Sequence, residues 1–240
     1  MSRIVHVALK CGDRESLERA SKMYEEAFGI YPTKSGHERG HLSWHMTEGK
    51  IDLALMVYDS EDEKEAKLAG AGPRIHHIGI EVEDRPSMIK KIEDNGGSIF
   101  SDRKEGALKY RSADGTLGEI VAAGRYPKKG DSKLGQITNV AYHVTDVAKA
   151  ASFYKNVFGF SELPGTTAES CTLTDGDTTL SFKKGSTPEI YCWSVGVPDT
   201  KAAAEKVKQL GGEIVDEPAS GGIRFIGPDG NMAEVVSQGG

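Results

Sequence analysis

At 240 residues with 38% hydrophobic side chains, the chain is long enough for one large domain or two ordinary ones, and it can fill a packed core. A formal net charge of −6 with no basic stripe argues against nucleic acid as a partner, and no apolar run approaches the length that spans a bilayer. The three scattered cysteines (Cys11, Cys171, Cys192) make neither a disulfide framework nor a CxxC pair, and the first residues run directly into a strand pattern rather than a secretory signal, so a reduced, cytoplasmic protein is expected.

In chain order, Arg3–Lys10 alternates as a strand. Arg14–Phe28 has helical periodicity and is followed by Gly29, a C-terminal cap residue. Alternating segments follow around His41–Met46 and Lys50–Tyr58. In the first of these, His41, Ser43 and His45 share one face, opposite Leu42, Trp44 and Met46. Asp59–Gly72 is charged and Ala/Gly-rich, with helical character. The stretch from Arg74 to Asp84 then reads as a strand with two unlike faces. Ile75, His77, Gly79 and Glu81 lie on one side, and His76, Ile78, Ile80 and Val82 on the other. A histidine beside a glycine suits a strand that lines a cavity, where an imidazole needs room to reach a partner. A helix near Arg85–Asp94 leads to strands near Ser98–Ser101, Leu108–Ser112 and Gly118–Ala122.

The chain repeats itself. Asp84–Glu119 matches Asp199–Glu234 at a constant offset of 115, including Asn95-Gly96-Gly97 with Leu210-Gly211-Gly212 and Asp114-Gly115 with Asp229-Gly230. Met23–Ile30 matches Phe153–Phe160 at an offset of 130. The chain therefore divides into four units, roughly 1–58, 73–123, 135–187 and 188–238, each with a strand, a helix and further strands. The two Asp-Gly pairs mark hairpin turns. A unit this small cannot close its own sheet, so units are expected to pair two per domain. The expected domains are 1–124 and 135–240, joined by a linker over 125–134 around Tyr126-Pro127-Lys128-Lys129-Gly130-Asp131.

These motifs resemble the vicinal oxygen chelate superfamily: a strand with H-x-I followed by V-x-D, a helix ending Tyr-x-x-x-Phe-Gly, and a D-G-x-x-x-E strand. The group includes glyoxalase I, methylmalonyl-CoA epimerase, extradiol dioxygenases, and fosfomycin- and bleomycin-resistance proteins. The resemblance covers all four units and implies an α+β fold, with four βαβββ units paired into two half-barrel glyoxalase-like domains.

Superposing the repeats aligns His6, His77, Asn139 and Cys192 on the first strands, and Asp52, Glu119, Thr179 and Glu234 on the last strands. In this family the metal ligands come from those positions. The resemblance thus implies His6, Asp52, His77 and Glu119 as ligands to one divalent ion (Fe, Mn, Co, Ni or Zn), with no metal in the second half. The donor chemistry agrees independently: two neutral imidazoles with one or two carboxylates suit such ions and leave positions for substrate. A lone strand histidine is more often a plain core or surface residue; it is the pairing at equivalent repeat positions that raises these two above that reading. Asp52 is the weakest member, one methylene shorter than Glu. His76 is expected on the helix side and Glu234 in a structural role. For His41–His45 the plain alternative is a solvated strand face; the sharper one puts His41 or His45 in the substrate cavity as a proton carrier. Of Tyr110 and Arg111, only one can face the metal.

The resemblance implies an enzyme that moves a proton next to a metal-bound carbonyl, a glyoxalase-like lyase or an epimerase-like isomerase with Glu119 as base and ligand. Its substrate is a small molecule with adjacent oxygens, with a homodimer as an allowed assembly. A second reading is an Fe(II) extradiol-type dioxygenase using His6, His77 and Glu119. A third is a non-catalytic binding or resistance protein, whose relatives lack the ligands kept here.

Overall fold

The computed structural model describes residues 2–38, 40–101, 106–126, 132–218 and 221–238. Of the expected linker, residues 127–131 lie outside the described residues. The first half runs β1 (Arg3–Lys10), α1 (Arg14–Phe28), β2 (Tyr31–Glu38), β3 (His41–Thr47), β4 (Asp52–Tyr58), α2 (Lys64–Ala69), β5 (Arg74–Val82), α3 (Arg85–Asp94), β6 (Ser98–Ile99), β7 (Ala107–Arg111) and β8 (Leu117–Ala122). The second half repeats the scheme with β9 (Gln136–Val144), α4 (Val147–Phe158), β10 (Ser161–Glu162), β11 (Ser170–Thr174), β12 (Thr179–Lys184), β13 (Glu189–Val197), α5 (Thr200–Gln209), β14 (Glu213–Asp216), β15 (Ile223–Ile226) and β16 (Met232–Ser237).

The strands form two eight-stranded sheets, ordered β2-β3-β4-β1-β5-β8-β7-β6 and β10-β11-β12-β9-β13-β16-β15-β14. Each sheet joins two neighbouring repeats through their first strands, β1 with β5 and β9 with β13. Each sheet thus pairs two strand–helix–strand units into an α+β arrangement, the pairing the repeat implied. In both sheets the Asp-Gly turn closes the hairpin before the last strand, with Gly115 and Gly230 at positive φ. Helix α1 has the expected bounds. Asp13 accepts from the Ser16 amide at its start, and Gly29 closes it in the left-handed region at φ 66°. Strand β2 has no counterpart in the sequence reading. All its residues are exposed, so neither face carries an apolar signal.

By compactness the chain sorts differently from its sheets. One unit comprises Met1–His6, His77–Pro127 and Asn139–Tyr191, and the other Val7–His76, Lys128–Thr138 and Cys192–Gly240. The first packs α3 with α4. There the buried Tyr110 of β7 lies against Phe153 and Phe158, with ring centroids 6.1 and 5.8 Å away. The second packs α1 with α5, with Tyr24 edge-on to Trp193 at 5.3 Å and Phe28 at 5.8 Å from Phe225. The Tyr24 hydroxyl donates to the Asp229 carboxylate at 3.1 Å, and Asn231 Nδ2 donates to Asp229 Oδ2 at 2.8 Å and to the Lys10 carbonyl at 3.1 Å. Helix tyrosine and turn aspartate, both repeated in the sequence, thus meet in the core. Among the described residues no helix is long and apolar enough to cross a membrane.

Candidate metal centre

The central strands carry the candidate donors by simple alternation. On β1, Val5 and Val7 are buried in the core and His6 faces the other way; on β5, Ile78 and Ile80 flank Gly79, and His77 shares its face with Gly79. Strand β8 runs parallel to β5 with Glu119 in register with Gly79. That register brings the Glu119 carboxylate beside the two imidazoles. The ligand atoms of His6, His77 and Glu119 all lie within 4.8 Å of one another, and all three residues are buried.

Gly79 is what makes the space. A Cβ built there would sit 2.8 Å from His6 Cβ, closer than side-chain packing tolerates, and 3.0 Å from Glu119 Oε1, a tight contact. The histidine-glycine pair noted in the sequence therefore has a steric cause.

Two further side chains complete the cluster, and the sequence reading did not single out either. Lys109 of β7 stands directly across the hairpin from Glu119. Its Nζ donates to Glu119 Oε2 at 2.8 Å and lies 2.8 Å from His77 Nε2. His77 Nε2 is itself 3.4 Å from Glu119 Oε2. Tyr126 donates its hydroxyl to Glu119 Oε1 at 2.9 Å and stacks its ring on His6 at 4.5 Å, with an interplanar angle of 4°. Lys109 was legible in principle: it and Glu119 are equidistant from the Asp114 turn. Tyr126 follows the last strand in a connector without periodicity, and no pattern marked it.

Charge and burial fix the protonation states. Burial opposes a charged imidazole, the Lys109 ammonium adds to that effect, and together they take His77 down to about 3 against the pull of Glu119. Burial alone would raise Glu119, but Lys109 and His77 outweigh it and hold the carboxyl well below its ordinary range. The cluster thus presents a neutral imidazole and an ionised carboxylate, the states in which both donate lone pairs. Two imidazoles and a carboxylate, close enough to share one ion and with a glycine clearing the space, fit a divalent metal of the Mn–Zn series.

Asp52, at the start of β4, is paired with His45 of β3, with Oδ2 to Nδ1 at 2.8 Å. The pair is mostly buried, with side-chain exposures of 11% and 15%, so His45 does not sit on a solvated strand face. His41 lies against Tyr58, ring centroids 5.3 Å apart, and Tyr58 in turn stacks near His76 at 6.0 Å. His76 Nε2 also lies 3.0 Å from the Glu65 carbonyl of α2. Tyr110 packs among the helix aromatics, whereas Arg111 shares the strand face of Lys109 and donates to the Gly115 carbonyl at 2.8 Å. At the equivalent position of the second sheet, Asn139 Oδ1 accepts from Thr179 and Ser181 hydroxyls, both at 2.8 Å. Those groups are neutral oxygen donors without imidazole.

Comparison with known proteins agrees with the fold and its two-domain organisation. The family described as Glyoxalase/Bleomycin resistance protein/Dioxygenase superfamily matches residues 6–113 and, in a second model, residues 136–235. Over 247 aligned residues the chain is 23% identical to a probable chloroplastic lactoylglutathione lyase of Arabidopsis thaliana; the match covers 90% of this chain but only 65% of that protein. Among solved structures, a Mn(II)-bound glyoxalase from Novosphingobium aromaticivorans superposes with a TM-score of 0.73 at 17% identity, over 99% of this chain and 83% of that one. A variant of 4-hydroxymandelate synthase from Streptomyces coelicolor gives 0.74 at 13% identity, over 99% and 93%. At these identities the structural likeness speaks for the fold alone. With both halves matched, the chain belongs to the glyoxalase/bleomycin resistance protein/dioxygenase superfamily, the vicinal oxygen chelate group.

Proposed function

We propose that this protein is a divalent-metal-dependent lyase or isomerase that moves a proton next to a carbonyl of a small substrate with adjacent oxygens. One observation carries the reading: His6, His77 and Glu119 converge, buried, within 4.8 Å. His6, His77 and Glu119 would hold the ion; Asp52, paired with His45 at 2.8 Å, is the weakest member of the expected set. When bound, such an ion would polarise the substrate's paired oxygens and ease loss of the proton beside the carbonyl. Glu119 is the base. Its ionised carboxylate accepts the proton, and the Tyr126 hydroxyl at 2.9 Å keeps Oε1 oriented. His45, aligned by Asp52 at 2.8 Å, is the candidate to carry protons onward, with His41 as a second candidate. The burial of the cluster excludes bulk water and strengthens these electrostatic contacts. Three unpaired, buried cysteines fit the expected reducing, cytoplasmic setting.

A second reading rests on the same three donors. Two histidines and one carboxylate are also the ligand set of non-haem Fe(II) oxygenases. The two separate by experiment. Metal-reconstituted protein, offered 1,2-dicarbonyl compounds and their thiol adducts in D2O, is expected to introduce deuterium at the carbon beside the carbonyl, and Glu119→Gln to abolish it. Consumption of oxygen with a catechol, and no deuterium incorporation, would transfer the assignment to the dioxygenase reading.

A further inference from the structure

The Lys109 ammonium engages two of the three candidate donors, His77 and Glu119. Its Nζ is 2.8 Å from His77 Nε2 and 2.8 Å from Glu119 Oε2, the atoms of those residues that lie closest to each other. The single lone pair of His77 Nε2, engaged by an ammonium N–H, cannot also coordinate an ion, and Glu119 Oε2 gives up one of its lone pairs to the same group. Two cations at such short separation in a buried site repel strongly. The lysine also has a way out: its side chain is 13% exposed, against 2% for Glu119, and a four-carbon stem allows the head to swing without moving the strand.

From this we infer that Lys109 is a built-in counter-cation of the metal-free site, one that an incoming metal must displace. The inference rests on the metal-site reading above and adds to it a residue outside the ligand set. In the metal-free protein Lys109 neutralises the buried Glu119 carboxylate and so preserves the site. It also competes with every ion that enters, which weakens metal affinity and makes loading reversible. A side chain of similar length without charge would remove the competitor and leave the donors unchanged.

The test is Mn(II) titration of the chelator-stripped full-length chain, with free ion read by electron paramagnetic resonance. Lys109→Met is expected to bind Mn(II) at least about tenfold more tightly than the wild type, since one cationic competitor is gone. Lys109→Arg, which keeps the charge, is expected to stay close to the wild-type affinity. Thermal melts guard against a folding artefact. The metal-free Lys109→Met protein should melt lower than wild type, because Glu119 is left buried without its partner, and Mn(II) should raise its Tm by more than it raises that of the wild type. Equal or weaker Mn(II) binding by Lys109→Met, in protein that melts cooperatively, would overturn the role of the lysine and leave the metal site standing. Should Lys109→Met not fold without metal, Lys109→Gln carries the same expectation. Mn(II) bound by neither wild type nor variant would overturn the metal site and, with it, this inference.

Discussion

A Cβ on Gly79 would approach His6 Cβ to 2.8 Å. The glycine on β5 is therefore a condition for the imidazole on β1, and the two strands carry the site as one piece. Gly79→Ala should push His6 or Glu119 off its position. The expected outcome is a loss of about 1–3 kcal/mol in unfolding free energy from overpacking, with metal affinity reduced at least about tenfold. Denaturant unfolding and a Mn(II) titration on the same preparation check both. Unchanged affinity would mean that the donors do not depend on this space.

The carboxylates should grade. Glu119→Gln removes a charge, a ligand and the proposed base at once, and several kcal/mol of transition-state stabilisation are expected to go with it. Asp52→Asn should be milder, because Asp52 is engaged with His45 at 2.8 Å and its amide can still accept that bond. Metal content and turnover, measured for both variants, decide the matter. Equal losses in both quantities would make Asp52 a full ligand.

Asp229 offers a pH test away from the metal site. Burial, opposed by bonds from Asn231 and Tyr24, lifts its carboxyl to about 6. Its ordinary value in an unfolded chain is about 3.9, so between those values the folded state binds more protons than the unfolded state. Stability from this group is fully present below about 3.9 and is lost as pH rises through about 6. The unfolding free energy of wild type relative to Asp229→Asn should therefore fall by on the order of 2–3 kcal/mol between pH 4 and about 7. Urea melts of both proteins across that range measure it. A pH-independent difference would place the carboxylate outside this linkage.

The proposed domains, 1–124 and 135–240, meet a constraint in the helix packing. Tyr24 and Phe28 of α1 lie on Trp193 and Phe225, and Tyr110 on Phe153 and Phe158, all beyond residue 124. A fragment ending at Gly124 would expose these rings. It is expected to aggregate or to lack a cooperative thermal transition. Size-exclusion chromatography and a melting curve test this. A monomeric fragment with a sharp transition that still binds Mn(II) would show that the first sheet and its helices stand alone.

Much of the fold was legible in the sequence, because repetition and alternation act on the same residues. The bounds of helix Arg14–Phe28 follow from its periodicity and the Gly29 cap, and the observed bounds are the expected ones. Strand alternation and repeat register put His6, His77 and Glu119 at equivalent positions, and the family resemblance implied them as ligands; their ligand atoms lie within 4.8 Å of one another. Strand β2 stayed hidden because a strand exposed on both faces has no apolar period. The sorting of helices into compact units was equally hidden: the apolar face of α1 reads the same whichever helix covers it. Lys109 could be placed only by counting both ways from the Asp114 turn, and Tyr126 carried no local pattern at all.

In the function proposed above, one divalent ion is held by His6, His77 and Glu119 of the first sheet. The most direct measurement is the metal content, by plasma mass spectrometry, of full-length protein purified without chelator, then stripped and reloaded, beside His77→Ala treated in the same way. About one equivalent of a divalent transition metal per chain is expected for the wild type and essentially none for His77→Ala, since a buried site with few donors cannot spare one. Two equivalents per chain, none after reloading, or full occupancy in His77→Ala would contradict it.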